Sequence, residues 1–227
     1  MTRPERSRRT AKPAKGDASP FLPDVLTLPA LRGAARSCRG CDLHANATQT
    51  VFGEGKRRAS MVIVGEQPGD REDVAGRPFV GPAGALLDEA LREAGIDRED
   101  VYVTNAVKHF KWKPRGKRRM HQRPTQTEVN ACKPWLEAEL AVIRPRVIVC
   151  LGATPAQAFF GSSFRITAEF GRAIVGPQHR VFVMGYHPAA ILRMPTHEAR
   201  QTARSALVSA LKLAKSLHDG RSRGVSV

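Results

Sequence analysis

The chain has 227 residues, 41% of them hydrophobic, and its 37 lysines and arginines against 21 acidic residues give a formal net charge of +16. This length and composition predict one globular domain with a full core. No apolar run approaches the roughly 18 residues of a membrane span, and no signal peptide follows the basic N-terminus, so the sequence predicts a cytoplasmic protein rather than a membrane or secreted one. The charge excess is typical of proteins that bind a polyanion, with nucleic acid as the leading candidate.

The two ends of the chain differ in composition from its middle. Residues 1–20 carry six basic side chains and no apolar periodicity, which predicts a disordered basic arm. Residues 219–227 are predicted to be a short disordered tail. The sequence between them, residues 21–218, is predicted to be a single domain without internal repeats.

Strand and helix patterns alternate along this domain. Apolar runs predict strands at residues 61–65, 101–107, 146–151, about 172–176 and 180–185. Periodic apolar positions predict helices at about residues 82–94, 125–142, from 154 onward, and 197–217. The alternation predicts an α/β protein with three α/β/α layers and a mainly parallel central sheet.

The four cysteines of the chain form two pairs in sequence. Cys38 and Cys41 make a Cys-x-x-Cys motif, and Cys132 and Cys150 come later in the chain. In a cytoplasmic protein such cysteines stay reduced or hold a metal, so they predict one four-thiolate site for zinc or an iron–sulfur cluster. For Cys150, which ends an apolar run, the alternative is a small buried core residue.

Residues 65–84 follow a predicted strand and contain five glycines and three prolines. The acids Glu66, Asp70 and Asp73 lie in this predicted loop. Such a loop lets the backbone approach a ligand closely, and the carboxyl end of a strand is where α/β proteins bind their ligands. Phe79 could stack on a flat ligand. The alternative is an ordinary β–α connection with a solvated acidic rim.

Residues 108–123 hold eight lysines or arginines, no acid and two aromatic residues. This composition is expected of a loop that lies along phosphates and stacks on bases, with a solvated basic loop as the alternative. His121 lies near the end of this segment, and on sequence alone a histidine there is more often a surface residue than a catalyst.

A second histidine, His187, follows the last predicted strand and precedes Pro188. Ile191 or Leu192, if exposed beside basic residues, could act as a wedge between bases. The alternative is a helix that begins at Pro188 and turns its aliphatic residues into the core.

Together these motifs resemble the uracil-DNA glycosylase superfamily, in its iron–sulfur branch. The resemblance covers about residues 30–215 and rests on the four-cysteine spacing and on Gly65-Glu66-Gln67-Pro68-Gly69, the loop 76–81, Val103-Thr104-Asn105 and His187-Pro188. Within that branch, Gln67 in place of the usual alanine and the inserted Lys117-Arg118-Arg119-Met120-His121 are similar to the X-type uracil-DNA glycosylases (UdgX). That group is known for binding uracil-containing DNA covalently through the histidine of this insertion.

The resemblance implies a DNA-repair enzyme that flips uracil out of the DNA and cleaves its N-glycosidic bond. It implies that Phe79 stacks on the base, that Asn105 reads its N3–H and O4, and that His187 donates to O2 and stabilises the departing base. His121 is then the nucleophile at C1′, with Glu66 hydrogen-bonded to its other nitrogen.

Further implications concern the surroundings of the site. Gln67, Asp70 and Arg119 are implied to contact the substrate, while Gln67, Asp70 and Asp73 order the loop and Arg119. A 4Fe–4S cluster is implied on Cys38, Cys41, Cys132 and Cys150. The resemblance also implies a monomer that prefers single-stranded uracil-containing DNA.

Two departures separate the chain from the pattern of the family. Ala189 and Ala190 stand where serines are usual, which removes hydroxyls that could bind phosphate, and Met120 replaces a more familiar isoleucine of similar size. Two other classes of function stay open: a conventional turnover glycosylase and a non-catalytic, nucleic-acid-binding iron–sulfur protein.

Overall fold

A six-stranded sheet forms the centre of the computed structural model, which describes residues 16–219. The strands of the chain are β1 (Glu54–Gly55), β2 (Met61–Gly65), β3 (Tyr102–Asn105), β4 (Trp112–Arg115), β5 (Arg118–His121), β6 (Val147–Leu151), β7 (Ala173–Val175) and β8 (Val181–Gly185). Strands β4 and β5 form a separate antiparallel hairpin, and the sheet order is β1-β3-β2-β6-β8-β7. The four inner strands are parallel, and the two edge strands are antiparallel to their neighbours.

Seven α-helices accompany the sheet. They are α1 (Leu28–Ala35), α2 (Asp70–Ala75), α3 (Pro82–Glu93), α4 (Gln126–Ile143), α5 (Ala153–Phe160), α6 (Pro188–Leu192) and α7 (His197–His218). Within residues 16–219, none of the helices has both the length and the apolar character needed to cross a membrane.

Helices cover both faces of the sheet because successive side chains of each inner strand point to opposite sides. Val62 and Val64 of β2 pack with α1, α4 and α5 in one buried cluster. Met61 and Ile63 pack with α3 and α7 in the other. The predicted three-layer α/β/α fold with a mainly parallel sheet is confirmed.

The start of α4 is set by its own sequence. The hydroxyl of Thr125 accepts a hydrogen bond from the amide of Glu128, and the Glu128 carboxylate accepts one from the amide of Thr125 at 2.6 Å. This capping box satisfies two amide groups that would otherwise lack partners at the helix end. It fixes the rotation of the helix that carries Cys132 and Glu139.

Two segments that were predicted as loops contain regular structure. Residues 65–84 include α2, whose first turn carries three acids that suit the positive end of a helix dipole. Residues 108–123 include the β4–β5 hairpin, closed by a two-residue turn at 116–117 in which Gly116 has a φ of 58°. The short elements α1 and β1 were not predicted.

The predicted N-terminal arm, residues 1–20, falls mostly outside the described residues. Residues 16–20, however, belong to the domain, because the amide of Gly16 donates to the carbonyl of Gly40 and the amide of Ala18 donates to that of Ala131. Of the predicted tail, Asp219 caps α7, and residues 220–227 lie outside the described residues.

Candidate active site

The site lies where the parallel strands end. Gly65 and Asn105, the last residues of β2 and β3, are partners in the sheet. The chain leaves β2 at Glu66, and His187 follows β8. Because carboxyl ends of parallel strands meet at one edge of the sheet, residues far apart in sequence face the same crevice.

Phe79 lies close to both Asn105 and His187 at this crevice, which is called the pocket. The rings of Phe79 and His187 are nearly parallel, with centroids 6.3 Å apart. A Cβ atom at Gly65 would lie 2.4 Å from Oδ1 of Asn105 and 2.7 Å from the Phe79 ring, so only glycine allows these side chains to approach β2. Phe79 itself has a φ of 57°, a strained conformation for an aromatic residue.

Glu72, which sequence reasoning missed, holds the backbone of the Phe79 loop. Its carboxylate is buried and accepts a hydrogen bond from the amide of Gly81 at 3.0 Å. Gly81 precedes the first residue of α3, so this contact fixes both the loop and the start of the helix.

The His187 ring has a defined tautomer. Its Nδ1 accepts a hydrogen bond from the amide of Ala189 at 3.1 Å, which leaves the proton on Nε2. Burial lowers the pKa of His187 to about 4, outweighing the opposite effect of the Glu66 charge. A neutral imidazole therefore presents an Nε2–H donor at physiological pH.

Asn105 is buried, and its backbone carbonyl accepts a hydrogen bond from Nζ of Lys108 at 2.8 Å. Its side-chain amide makes no hydrogen bond to any part of the chain that the structure describes. A buried amide with free hydrogen-bonding capacity is suited to reading the polar edge of a ligand.

His121 ends the hairpin and lies beside Glu66. Its Nε2 is 3.3 Å from Oε1 of Glu66, and its side chain is 43% exposed. The other carboxylate oxygen, Oε2, accepts a hydrogen bond from the hydroxyl of Thr154. Burial alone would raise the pKa of Glu66, but the hydrogen bonds with His121 and Thr154 outweigh it and hold this pKa below its usual value.

Gln67 holds the base of the hairpin rather than facing the pocket. Its side-chain amide donates to the carbonyls of Lys111 and Gln122 at 3.2 and 3.0 Å and accepts from the amide of Lys111 at 3.2 Å. These contacts join the two strands of the hairpin where they leave the domain. The structure thus places Gln67 against the backbone of the hairpin, although substrate contact was predicted for it.

Arg119 ties the hairpin to α2. Its guanidinium donates to Asp70 and to Asp73, each at 2.6 Å, and also to the hydroxyl of Thr48 at 3.1 Å. Asp70 and Asp73 thus hold Arg119 in place, in agreement with the predicted ordering role, and contact of Asp70 or Arg119 with substrate stays a prediction. These ion pairs anchor the strand that carries His121 two residues later.

The hairpin has an inner and an outer face, because side chains alternate along its strands. The inner face contacts the domain and carries Trp112, Pro114, Arg119 and His121. The outer face is exposed and carries Lys113, Arg115, Arg118 and Met120. Within residues 16–219, the three basic side chains of the outer face have no acidic partner.

Half of the eight basic side chains in residues 108–123, which were predicted to lie along phosphates, bind protein groups instead. The four are Lys108, Lys111, Arg119 and Arg123. Lys108 is fully buried, which composition could not indicate.

The predicted wedge is wrong for Ile191, which is buried in the core beneath α6. Leu192 is 44% exposed. The alternative, a helix that begins at Pro188 and turns aliphatic residues inward, describes Ile191 correctly.

Comparison with known proteins adds to this geometry. The family model described as the uracil DNA glycosylase superfamily matches residues 52–212. This chain belongs to the uracil DNA glycosylase superfamily. The matched range contains Glu66, Phe79, Asn105, His121 and His187, so the whole pocket lies within the shared domain.

Several relatives of this superfamily member are similar over most of their length. The Type-4 uracil-DNA glycosylase of Thermotoga maritima is 44% identical, with 73% of this chain and 83% of the relative covered. The Type-4 uracil-DNA glycosylase of Archaeoglobus fulgidus is 43% identical, with 70% and 80% covered. A Type-5 uracil-DNA glycosylase of Pyrobaculum aerophilum is 32% identical, with 60% and 64% covered.

Three cysteines of this superfamily member, Cys38, Cys132 and Cys150, are buried in one core cluster, the partly buried Cys41 packs against it, and none of the four is in a disulfide. The amide of Lys108 donates to Sγ of Cys132, and the indole of Trp135 donates to Sγ of Cys38, each at 3.2 Å. Burial, together with the neighbouring thiols Cys41 and Cys38, raises the pKa of Cys132 to about 12, although the charge and the backbone amide of Lys108 act in the opposite direction. The Cys132 thiol would therefore be ionised only beside a further positive partner.

Within residues 16–219, no three histidine, cysteine or acidic side chains are arranged to share one metal ion. In a four-iron cluster each thiolate binds a different iron, so the sulfur atoms need not meet at one point. The buried thiols and their N–H donors fit such a cluster better than a single zinc ion.

Proposed function

We propose that this protein removes uracil from DNA and then becomes bonded through His121 to C1′ of the remaining sugar. Membership of the superfamily and the names of the Type-4 relatives support uracil removal. The observation that carries the adduct is the 3.3 Å contact between Nε2 of His121 and Oε1 of Glu66, at the edge of the pocket. In this proposal the protein is of the X-type within its superfamily.

Base recognition would use the walls of the pocket. The uracil nucleotide leaves the base stack and lies against Phe79, where the amide of Asn105 donates to O4 and accepts from N3–H. Cytosine presents the reverse pattern and would be rejected. As the C1′–N1 bond breaks, its electron pair leaves with the base, and Nε2–H of His187 stabilises the negative charge on O2.

Loss of the base leaves positive charge on the sugar, which the Glu66 carboxylate stabilises as in glycoside hydrolysis. Before the attack, Nε2–H of His121 donates a hydrogen bond to Glu66, so the proton is on Nε2 and the free lone pair is on Nδ1. This Nδ1 lone pair forms the new C–N bond. The Nε2 proton then passes to Glu66, leaving a neutral, alkylated imidazole. Such a product has no good leaving group, so the complex persists.

A conventional turnover glycosylase is the second candidate, and the names of the Type-4 relatives favour it. In that reaction, water beside Glu66 attacks C1′ and the protein is released. An excess of uracil-containing DNA separates the two candidates, because the adduct limits release to one uracil per protein molecule. A complete absence of uracil release would favour a non-catalytic nucleic-acid-binding protein.

The outer face of the hairpin supports DNA as the substrate. Its unpaired cations Lys113, Arg115 and Arg118 are exposed beside the strand that ends at His121. We propose that they contact phosphates of the uracil-bearing strand, with single-stranded DNA preferred because no base pair has to be broken before flipping. A monomer suffices in this proposal, since one chain supplies every residue of the pocket.

Asn105→Asp tests the proposed base recognition. The change replaces the amide donor to O4 by an oxygen, and losing one buried hydrogen bond costs about 1–3 kcal/mol. This corresponds to a loss of about 5- to 150-fold in the rate of uracil release at low substrate concentration. Release of free uracil from labelled DNA is the measurement. Asn130→Asp is the matched control, because Asn130 is exposed on α4 and its side chain accepts a hydrogen bond from Gln126 at the surface. An unchanged rate in Asn105→Asp would mean that another group reads the base.

We also propose a 4Fe–4S cluster on Cys38, Cys41, Cys132 and Cys150. Such a cluster would provide the positive partner that the buried thiolates need, and would join the N-terminal segment to α4 and β6. Cys38 and Cys41 precede the range that matches the family model, so the match itself does not support these two proposed ligands.

The purified protein is therefore expected to be yellow-brown and to contain iron and acid-labile sulfide. Metal analysis and the visible absorption spectrum are the measurements, and Cys132→Ser should lose the colour because it removes one ligand. Cysteine is absent from the chain outside these four positions, so no matched cysteine control exists, and Ser37→Ala serves as a neighbouring control. Stoichiometric zinc without iron would contradict the cluster.

A further inference from the structure

We propose that Thr154 is a positioning residue that holds Glu66 against His121 and so determines how often the reaction ends in the covalent adduct. The inference rests on the proposed function. Neither sequence motifs nor the resemblance to known families pointed to Thr154, which lies in the first turn of α5.

The hydroxyl of Thr154 is 2.5 Å from Oε2 of Glu66, and the side chain is 3% exposed. The second oxygen of the same carboxylate, Oε1, contacts Nε2 of His121 at 3.3 Å. Each oxygen of Glu66 thus has its own partner, one on a fixed helix and one on the hairpin. Thr154, on the helix, therefore sets the orientation of the Glu66 carboxylate that contacts the exposed His121.

The direction of the Thr154 hydrogen bond follows from counting protons. A hydroxyl has one proton, and an ionised carboxylate can only accept, so Thr154 donates to Glu66. Nε of Arg123 lies 3.3 Å from the Thr154 oxygen and donates to it, while Nη2 of Arg123 donates to Gln157 at 3.1 Å. Arg123 therefore uses a lone pair of the Thr154 oxygen, which leaves the hydroxyl proton of Thr154 to point toward Glu66.

Removing the hydroxyl has two consequences for Glu66. The carboxylate becomes free to rotate away from His121, and it loses one of the two hydrogen bonds that hold its pKa below the usual value against burial. Charged or titratable groups that still face it are His121 on β5, Arg123 after the hairpin and His187 before α6. A protonated or rotated Glu66 cannot take the Nε2 proton of His121, so water would capture the sugar more often.

The pH dependence has a definite sign. Adduct formation needs a neutral His121, whose Nδ1 lone pair attacks C1′, and an ionised Glu66 that can take the Nε2 proton, so it should fall on the acid side as either group gains a proton. In the wild type the pKa of Glu66 is lowered, so Glu66 stays ionised across this acid limb. Loss of the Thr154 hydroxyl raises the pKa and should move the acid limb to higher pH.

The test compares the wild type with Thr154→Val, which keeps the shape and removes the hydroxyl, and with Thr154→Ser, which keeps the hydroxyl. After reaction with uracil-containing single-stranded DNA, the ratio of adduct to free abasic DNA is measured across pH. Losing a hydrogen bond to a charged group is worth about 1.5–3 kcal/mol, so Thr154→Val should lower this ratio about 10- to 100-fold and shift the acid limb upward. Thr154→Ser should restore both.

The outcomes are distinguishable. An unchanged ratio and profile in Thr154→Val would overturn the proposal, and so would a failure of Thr154→Ser to restore them, since packing rather than the hydroxyl would then matter. If Thr154→Val does not fold, Thr154→Ser against Thr154→Ala repeats the comparison. Wild-type protein that releases uracil without any adduct would overturn the adduct proposal and this inference together, leaving uracil excision intact.

Discussion

Replacement of His121 by serine should abolish the denaturant-resistant protein–DNA complex and leave uracil release in place. The change removes the only nitrogen proposed to attack C1′, while Phe79, Asn105, His187 and Glu66 remain. The hairpin should keep its position, because Gln67 and Arg119 anchor it without using His121. His121→Ser is therefore expected to convert a single-use protein into an enzyme that turns over.

A denaturing gel of protein mixed with uracil-containing single-stranded DNA measures this result, with released uracil assayed in parallel. His197→Ser is the matched control, since His197 is an exposed histidine on α7 whose ring is hydrogen-bonded to Gln201 on the same helix. A shifted band that persists in His121→Ser would mean that another residue is the nucleophile. A wild-type protein that gives many turnovers and no band would be a conventional glycosylase.

The fold could be predicted because its central strands are buried on both faces. A run such as Met61–Val64 has no polar residue on either side, which is typical of the middle of a parallel sheet. Glu66, Asn105 and His187 could be predicted as neighbours for the same reason, since each lies at or just after the carboxyl end of such a strand. The short elements α1 and β1 escaped prediction because Pro29 and Gly33 interrupt the first and the second has only two residues.

The positions of Arg119 and His121 could not be predicted from composition. A run of basic residues has no periodicity that separates one residue from the next. Only the register of the hairpin turns Arg119 inward to Asp70 and Asp73 while Arg118 points outward. Thr154 depends in the same way on tertiary contact, because nothing near it in sequence shows that Glu66 is its partner.

Lys108 is the clearest case of a residue whose structural role is not evident from the sequence. It stands at the start of the basic segment, yet its side chain is 1% exposed and forms an ion pair with the fully buried Glu139 of α4 at 2.5 Å. Its ammonium also donates to the hydroxyl of Thr104 and to the carbonyl of Asn105, at 2.7 and 2.8 Å. The pair thus links α4 to the strand end that carries the proposed base-reading amide.

Glu139→Gln should lower the melting temperature by about 6–20 °C, because removing one partner of a buried ion pair costs about 3–5 kcal/mol and a domain of this size loses about 2–4 °C per kcal/mol. The glutamine keeps the shape and an acceptor for the amide of Gly53 and the hydroxyl of Tyr102, but leaves the charge of Lys108 unpaired. Glu93→Gln is the matched control, since Glu93 pairs with Arg204 on the surface and should cost less than about 1 kcal/mol.

Combining Glu139→Gln with Lys108→Met shows whether the ion pair between Lys108 and Glu139 is responsible for the loss of stability in Glu139→Gln. Once both charges are absent, no buried charge lacks a partner, so the double variant should melt well above the temperature expected from adding the two single effects. Thermal melting followed by circular dichroism provides all four values of this cycle. Additive effects would show that Glu139 stabilises the protein through Gly53, Tyr102 and Thr104 rather than through the charge of Lys108. Lys108 would then be held in place by Thr104 and the Asn105 carbonyl rather than by its charge partner.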